Sequence, residues 1–180
     1  MHRRPVCELL KAYRLSHPNE CEVADRFLAF VDAHEDVLHR TCLPGHVTAS
    51  CWILSSDGEN CLLTLHRKLG RWLQLGGHVD GEPEIWRAAL REAQEESGMD
   101  RFELIPEPLD IDIHEIPGRA DEPAHLHHDI RFLLQAAPGQ ELSISSESLD
   151  LRWFALCDVP SMTSEASILR MLRKAQALRG

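Results

Sequence analysis

GGHVDGEPEIWRAALREAQEESGM, residues 76–99, changes character halfway along. Gly76 and Gly77 open a polar loop, and from Pro83 to Ser97 the apolar residues fall at helical spacing, with Ile85, Ala89 and Ala93 on one stripe. Pro83 stands near the first helical position and Gly98 just past the last, where these residues are favoured. This helix carries Glu92, Glu95 and Glu96. Like charges at such spacing destabilise an isolated helix by roughly 0.2–0.5 kcal/mol per pair. Either the cluster is a solvated face or a cation offsets the repulsion. At about 100° per residue the three carboxylates span an arc of about 100°, narrow enough for one divalent ion or a small cluster to touch all three. Oxygen ligands of this kind suit Mg2+ or Mn2+. Glycine at 76 and 77 lets backbone carbonyls and amides come close.

Outward from this stretch, strand and helix signals alternate. Before it, VTASCWIL (47–54) and CLLTLH (61–66) flank a turn at Asp57-Gly58 and read as a hairpin, followed by a short strand, WLQL (72–75). After it come FELI, LDIDIHEI, HLHHDIRFLLQA and LRWFAL, all strand-like, and a helix over 163–178 with Ile168, Leu172 and Ala175 inward. At the front, Pro5 opens a short helix through Val6, Leu9, Leu10 and Tyr13, and His17-Pro18 breaks it. Asn19 then starts a second helix whose apolar positions run from Val23 to Leu38. Residues 1–40 read as a helical extension packed on a domain spanning 41–180, or on a partner subunit. Strands mixed with helices point to a layered α/β or α+β fold.

Composition narrows the function classes. With 29 acidic against 19 basic residues the net charge is −10, which argues against stable nucleic-acid binding. A polyanionic small molecule is still admissible if a metal bridges it to the acidic groups. No apolar run approaches the roughly 20 residues of a membrane span, and the N-terminus has no signal-peptide pattern, so a cytoplasmic protein is expected. The six cysteines include no CxxC pair and read as small buried hydrophobes.

The stretch 76–99 resembles the Nudix box of the MutT-like hydrolases: G, five residues, E, seven residues, then REUxEExGU, with U bulky and apolar. Gly77 and Arg91-Glu92-Ala93-Gln94-Glu95-Glu96-Ser97-Gly98-Met99 fall in register, with Ala93 a small substitute for U. One position departs, since Pro83 stands at the nominal glutamate and Glu82 lies one place early. The hairpin before the box, the strands after it and RWFAL (152–156) extend the resemblance over roughly residues 46–160, with wording of a bacterial-type subgroup. The resemblance implies a Nudix-like α/β/α sandwich with a mixed sheet and the helical extension in front. It also implies a Mg2+- or Mn2+-dependent hydrolase of a nucleoside diphosphate linked to another group, or of a similar organic pyrophosphate. Glu92, Glu96 and Glu95 with the Gly76 carbonyl become the implied metal ligands, and Arg91 is held by Glu82. The general base is open between Glu147, Glu95 and Glu92. A homodimer is a family-level expectation.

Two other readings are weighed. An isopentenyl diphosphate isomerase needs a catalytic cysteine, and none lies near the box in sequence. A non-catalytic nucleotide sensor should have lost box carboxylates, and all three are present.

HLHHDIRFLL (125–134) is the second unusual stretch. On a strand, His125, His127, Asp129 and Arg131 share one face. That row either meets substrate phosphates or a metal, or is a polar face turned to solvent. A zinc-binding module would use His125, His127, His128 and Asp129. Lys68 and His66, shortly before the glycine loop, are candidate phosphate contacts, although a solvated surface suits Lys68 better. Trp72 stacks on a base or packs, and His78 has the same two readings.

Overall fold

A computed structural model describes residues 2–118, 123–146 and 148–179. Two helices, α1 (Arg4–Ser16) and α2 (Cys21–Ala33), precede a seven-stranded sheet. Its strands are β1 (Gly45–Leu54), β2 (Asn60–His66), β3 (Arg71–Leu73), β4 (Leu75–His78), β5 (Phe102–Ile116), β6 (His125–Ala136) and β7 (Ser148–Ala155). Helix α3 (Ile85–Ser97) lies between β4 and β5, and α4 (Val159–Met162) and α5 (Ala166–Ala177) close the chain.

The sheet is mixed and ordered β3-β2-β1-β6-β5, with β4 added to β1 and β7 to β2. Strand β1 runs parallel to β6 along its whole length, while the other pairings are antiparallel. All ten β1 positions are buried. The strand's residues still alternate: Thr48 and Ser50 turn to the buried Asp129 of β6, while Val47, Ala49 and Cys51 turn to the apolar layer on the opposite face.

Two apolar layers make the sandwich. On one face Val47, Ala49, Cys51 and Ile53 pack with Val6 and Leu10 of α1, Phe27 and Val31 of α2, and Ile85, Ala88 and Ala93 of α3. On the other face Trp52, Leu54 and Leu133 pack with Ile168, Met171, Leu172 and Ala175 of α5. The N-terminal helices therefore belong to the same core as the sheet. Among the described residues no helix is long and apolar enough to cross a membrane.

Several elements differ from the sequence expectation for physical reasons. Helix α2 ends at Ala33 instead of reaching Leu38, because His34 is extended (φ −124°, ψ 128°). Val37 and Leu38 are buried all the same, plugging the core from a turn that mimics helical spacing. Asn19 caps nothing; it lies in a 3-10 turn, Pro18–Glu20, and α2 has no side-chain cap. The hairpin turn stands at Gly58, with φ 75°. Yet β1 and β2 pair only at Ile53–Leu62 and Leu54–Cys61, because β4 occupies that edge of β1 from Thr48–His78 to Cys51–Leu75. Gly76 makes this possible: a Cβ there would lie 2.5 Å from Ser50 Oγ and 2.6 Å from the Ala49 carbonyl oxygen. WLQL thus splits between β3 and β4, while FELI and LDIDIHEI fuse into β5 with register shifts around Pro108. Of the cysteines, Cys42, Cys51 and Cys61 are buried, but Cys21 and Cys157 are exposed.

Candidate active site

Helix α3 lays two of its three glutamates against β4. A Cβ on Gly77 would meet Glu92 Oε2 at 2.5 Å, so the carboxylate occupies the space the glycine leaves. Glu96 Oε2 accepts the Gly76 amide at 3.0 Å. Glu95 diverges from them, its side chain 63 % exposed against 15 % for Glu92. The acidic arc is thus divided, two carboxylates facing the glycine strand and one facing water.

Arg91 joins the helix to the loop. Its Nη2 donates to the His78 carbonyl at 2.6 Å and to Glu92 Oε1 at 2.8 Å, and its Nε lies 3.8 Å from Glu95 Oε1. The expected Glu82–Arg91 pair does not form. Glu82 Oε1 accepts the Glu84 amide at 2.9 Å, closing the turn that leads into α3. The one-place shift of this glutamate leaves it bracing the turn before α3, which has no side-chain cap, and the His78 carbonyl takes the contact with arginine.

Two carboxylates beside the backbone of Gly76 and Gly77 make an oxygen-rich, half-buried set that suits a hard divalent cation. Cys51, distant from the box in sequence, shares this neighbourhood. It is fully buried, its thiol donates to the Leu75 carbonyl at 3.4 Å, and burial followed by the charges of Glu96, Glu92 and Asp129 holds its pKa well above the ordinary range. A thiol kept neutral in this way is a poor nucleophile.

The β6 row does share a face, but an interior one. Asp129 and Arg131 are 1 % and 2 % exposed. Arg131 donates to Asp129 and Asp110 at 2.8 Å each and to Asp112 at 3.1 Å. Asp129 also accepts from Thr48 and Ser50 at 2.9 Å. From α5, Arg170 reaches Asp110 and Asp112, and Lys174 reaches Asp110 at 2.7 Å, Glu20 at 2.8 Å and the Tyr13 hydroxyl at 2.6 Å. Burial alone would raise the pKa of Asp110 and Asp112. Hydrogen bonds from Arg170 and His114, with the nearby guanidinium charges, outweigh it and hold both below the ordinary carboxylate range. Asp129 and Arg131 therefore anchor the interior and do not face a ligand, correcting the substrate-contact expectation.

The row's other half is a cluster of five imidazoles. The His46 ring centroid lies 4.9 Å from those of His78, His125 and His127. His127 is also 5.2 Å from His125, 5.5 Å from His114 and 5.6 Å from His78. Burial, then the neighbouring imidazoles led by His46, lowers the His127 pKa to about 2. His128 points to the opposite face, stacked on Phe30 at 3.8 Å, and is not part of the cluster. Sequence reasoning missed His46 and His114, which only strand pairing brings opposite His127.

Lys68 is exposed in the β2–β3 turn. Trp72 is half-buried with its ring edge-on to Phe154 at 4.8 Å, a packing contact. Glu147 lies outside the described residues.

A family model described as NUDIX domain matches residues 44–174. No curated protein sequence matches the chain. Among solved structures, a hydrolase of the NUDIX family from Clostridium perfringens is 27 % identical, covering 75 % of this chain and 98 % of its own, with a TM-score of 0.59. An Ap4A hydrolase binary complex from C. elegans is 22 % identical over 73 % of this chain and 96 % of its own, with a TM-score of 0.63. The E. coli dihydroneopterin triphosphate pyrophosphohydrolase is 19 % identical over 71 % and 92 %, with a TM-score of 0.54.

Proposed function

From the premise that this chain belongs to the NUDIX domain family, we propose that it hydrolyses a diphosphate linkage in a small organic pyrophosphate, such as a nucleoside diphosphate joined to another group, with Mg2+ or Mn2+. The observation that carries this reading is the convergence of Glu92 and Glu96 on the Gly76–Gly77 backbone. A carboxylate pair kept at a glycine strand, with Glu92 braced by Arg91, is a donor set that suits such an ion.

Glu92, Glu96 and the Gly76 carbonyl would hold the ion. When bound, it screens the repulsion between a polyphosphate and an incoming oxygen nucleophile and lowers the pKa of water. Arg91 positions Glu92, since its guanidinium is clamped to the His78 carbonyl. Glu95, the most exposed of the trio, faces the side from which a solvent-borne substrate arrives, and is the group assigned to take a proton from the nucleophile. Lys68, exposed nearby in sequence, is left with a phosphate-steering role at most.

A panel of nucleoside polyphosphates, dinucleoside polyphosphates, nucleotide sugars and ADP-ribose, read as released phosphate after phosphatase coupling, tests the reading. Turnover is expected only with Mg2+ or Mn2+, and Glu96→Gln should reduce it at least about a hundredfold, or about 2.7 kcal/mol of transition-state stabilisation. Undiminished turnover in Glu96→Gln would remove α3 from the reaction.

A further inference from the structure

We propose that His46, His125 and His127 bind one transition-metal ion of the Zn2+ class at a site separate from the α3 carboxylates. One nitrogen from each of the three rings lies within 4.8 Å of the other two. Tetrahedral ligands at Zn–N distances of ~2.0–2.1 Å stand about 3.3 Å apart. The nitrogens need to close by about 1.5 Å at most to reach that geometry.

The backbone is built for this. His46 and His127 are direct partners in the parallel β1–β6 ladder, and His125 precedes His127 by two residues on the same face. Sites on paired strands are held more rigidly than sites on loops. His125 Nδ1 lies 2.9 Å from the Pro123 carbonyl oxygen. A carbonyl only accepts, so Nδ1 carries a ring hydrogen and donates it. Metal-binding histidines are oriented in this manner, the second nitrogen donating to a carbonyl or carboxylate. Next to the trio, His114 Nδ1 is 3.1 Å from Asp112, itself fixed by Arg131 and Arg170, so a carboxylate–imidazole pair supports the His127 ring.

The chemistry selects a cation over a phosphate. The three rings converge nitrogen donors on one point, an arrangement that suits a metal ion. Nitrogen donors of this type take Zn2+, Cu2+, Ni2+ or Fe2+, whereas the carboxylates on α3 take Mg2+ or Mn2+. The fourth position is left to the neighbouring His78 ring or to water. The sequence-based zinc set is thereby revised: His46 enters, while His128 and Asp129 lie elsewhere. This inference does not depend on the hydrolase reading.

The test uses the full chain without a polyhistidine tag, stripped with chelator and then equilibrated with Zn2+ or Co2+ alone. Elemental analysis should find one Zn2+ per chain, with visible Co2+ bands of a nitrogen-ligated site and a raised melting temperature. The Glu92→Gln/Glu96→Gln double variant should retain all three signals. His125→Gln and His127→Asn, checked for native circular dichroism, should lose them. Wild-type protein that takes up no stoichiometric Zn2+ at micromolar free metal would overturn the proposal whatever the variants do. So would a folded His127→Asn chain that keeps the Co2+ spectrum.

Discussion

Gly77 and Glu92 share one space: a methyl group on the glycine would stand 2.5 Å from Glu92 Oε2. The obstructing atom is the tip of a flexible side chain, so Gly77→Ala should fold normally, with stability within about 1 kcal/mol of wild type. Its carboxylate, however, has to leave the glycine strand. Turnover is expected to fall at least about tenfold. Gly76→Ala meets backbone instead, 2.6 Å from the Ala49 carbonyl, and should cost about 1–3 kcal/mol in urea unfolding. Equal stability losses in the two variants would contradict this division.

Arg91 and Glu82 should separate in kinetics. Arg91→Lys cannot span both the His78 carbonyl and Glu92, and a roughly tenfold fall in kcat is expected. Glu82→Ala removes only the contact to the Glu84 amide, costing about 1 kcal/mol of stability with little change in kcat. A kcat loss in Glu82→Ala equal to that of Arg91→Lys would restore the pairing that the structure lacks.

Arg131→Met leaves Asp129 and Asp110 buried without their shared counter-ion. Removing one member of a buried ion network costs about 3–5 kcal/mol, so denaturant midpoints should fall sharply. The folded fraction should keep the wild-type KM. A raised KM at unchanged stability would instead place Arg131 at substrate.

Acid should unfold the protein through the same network. Asp110 and Asp112 have pKa values below the ordinary range, despite burial, because Arg170, His114 and Arg131 favour their charged forms. Their contribution is therefore fully present above the unfolded aspartate value of ~3.9 and is lost as pH falls through the lower folded values. Melting temperature should hold down to about pH 5 and decline steeply below about pH 4. Asp112→Asn should be less stable at neutral pH and show a shallower acid decline.

Deletion of residues 1–33 tests whether the front helices are separable. They supply Val6, Leu10, Phe27 and Val31 to the core, and Tyr13 and Glu20 to Lys174. The truncated chain is expected to aggregate or to lack a cooperative unfolding transition. A soluble, cooperatively folding chain starting at residue 34 would make the division at about residue 40 a true domain boundary.

The box was legible because its chemistry is local: spacing alone put Glu92 and Glu96 on one side of a helix that Pro83 and Gly98 bound. Helix, turn and strand identities followed from periodicity and turn residues. What stayed hidden depended on pairing at long range. Nothing near Asp110 signals that Arg131 and Arg170 neutralise it, and nothing near His46 signals His127. Val37 and Leu38 show the converse error, in which buried residues of a turn imitate a helix by spacing. Glu82 misled for a third reason, since a motif position displaced by one residue acquired a different local partner.

Residues 76–78 serve both faces of the sheet in consecutive steps. Gly77 yields its side-chain volume to Glu92 on the α3 face, the His78 carbonyl grips Arg91, and the His78 ring turns toward the imidazoles on the other face. The proposed oxygen-donor and nitrogen-donor centres thus share one tripeptide. Inserting or deleting a residue there would derange both together, so an engineer or a lineage seeking to retune either centre has to work from the opposite wall, on α3 or on β6.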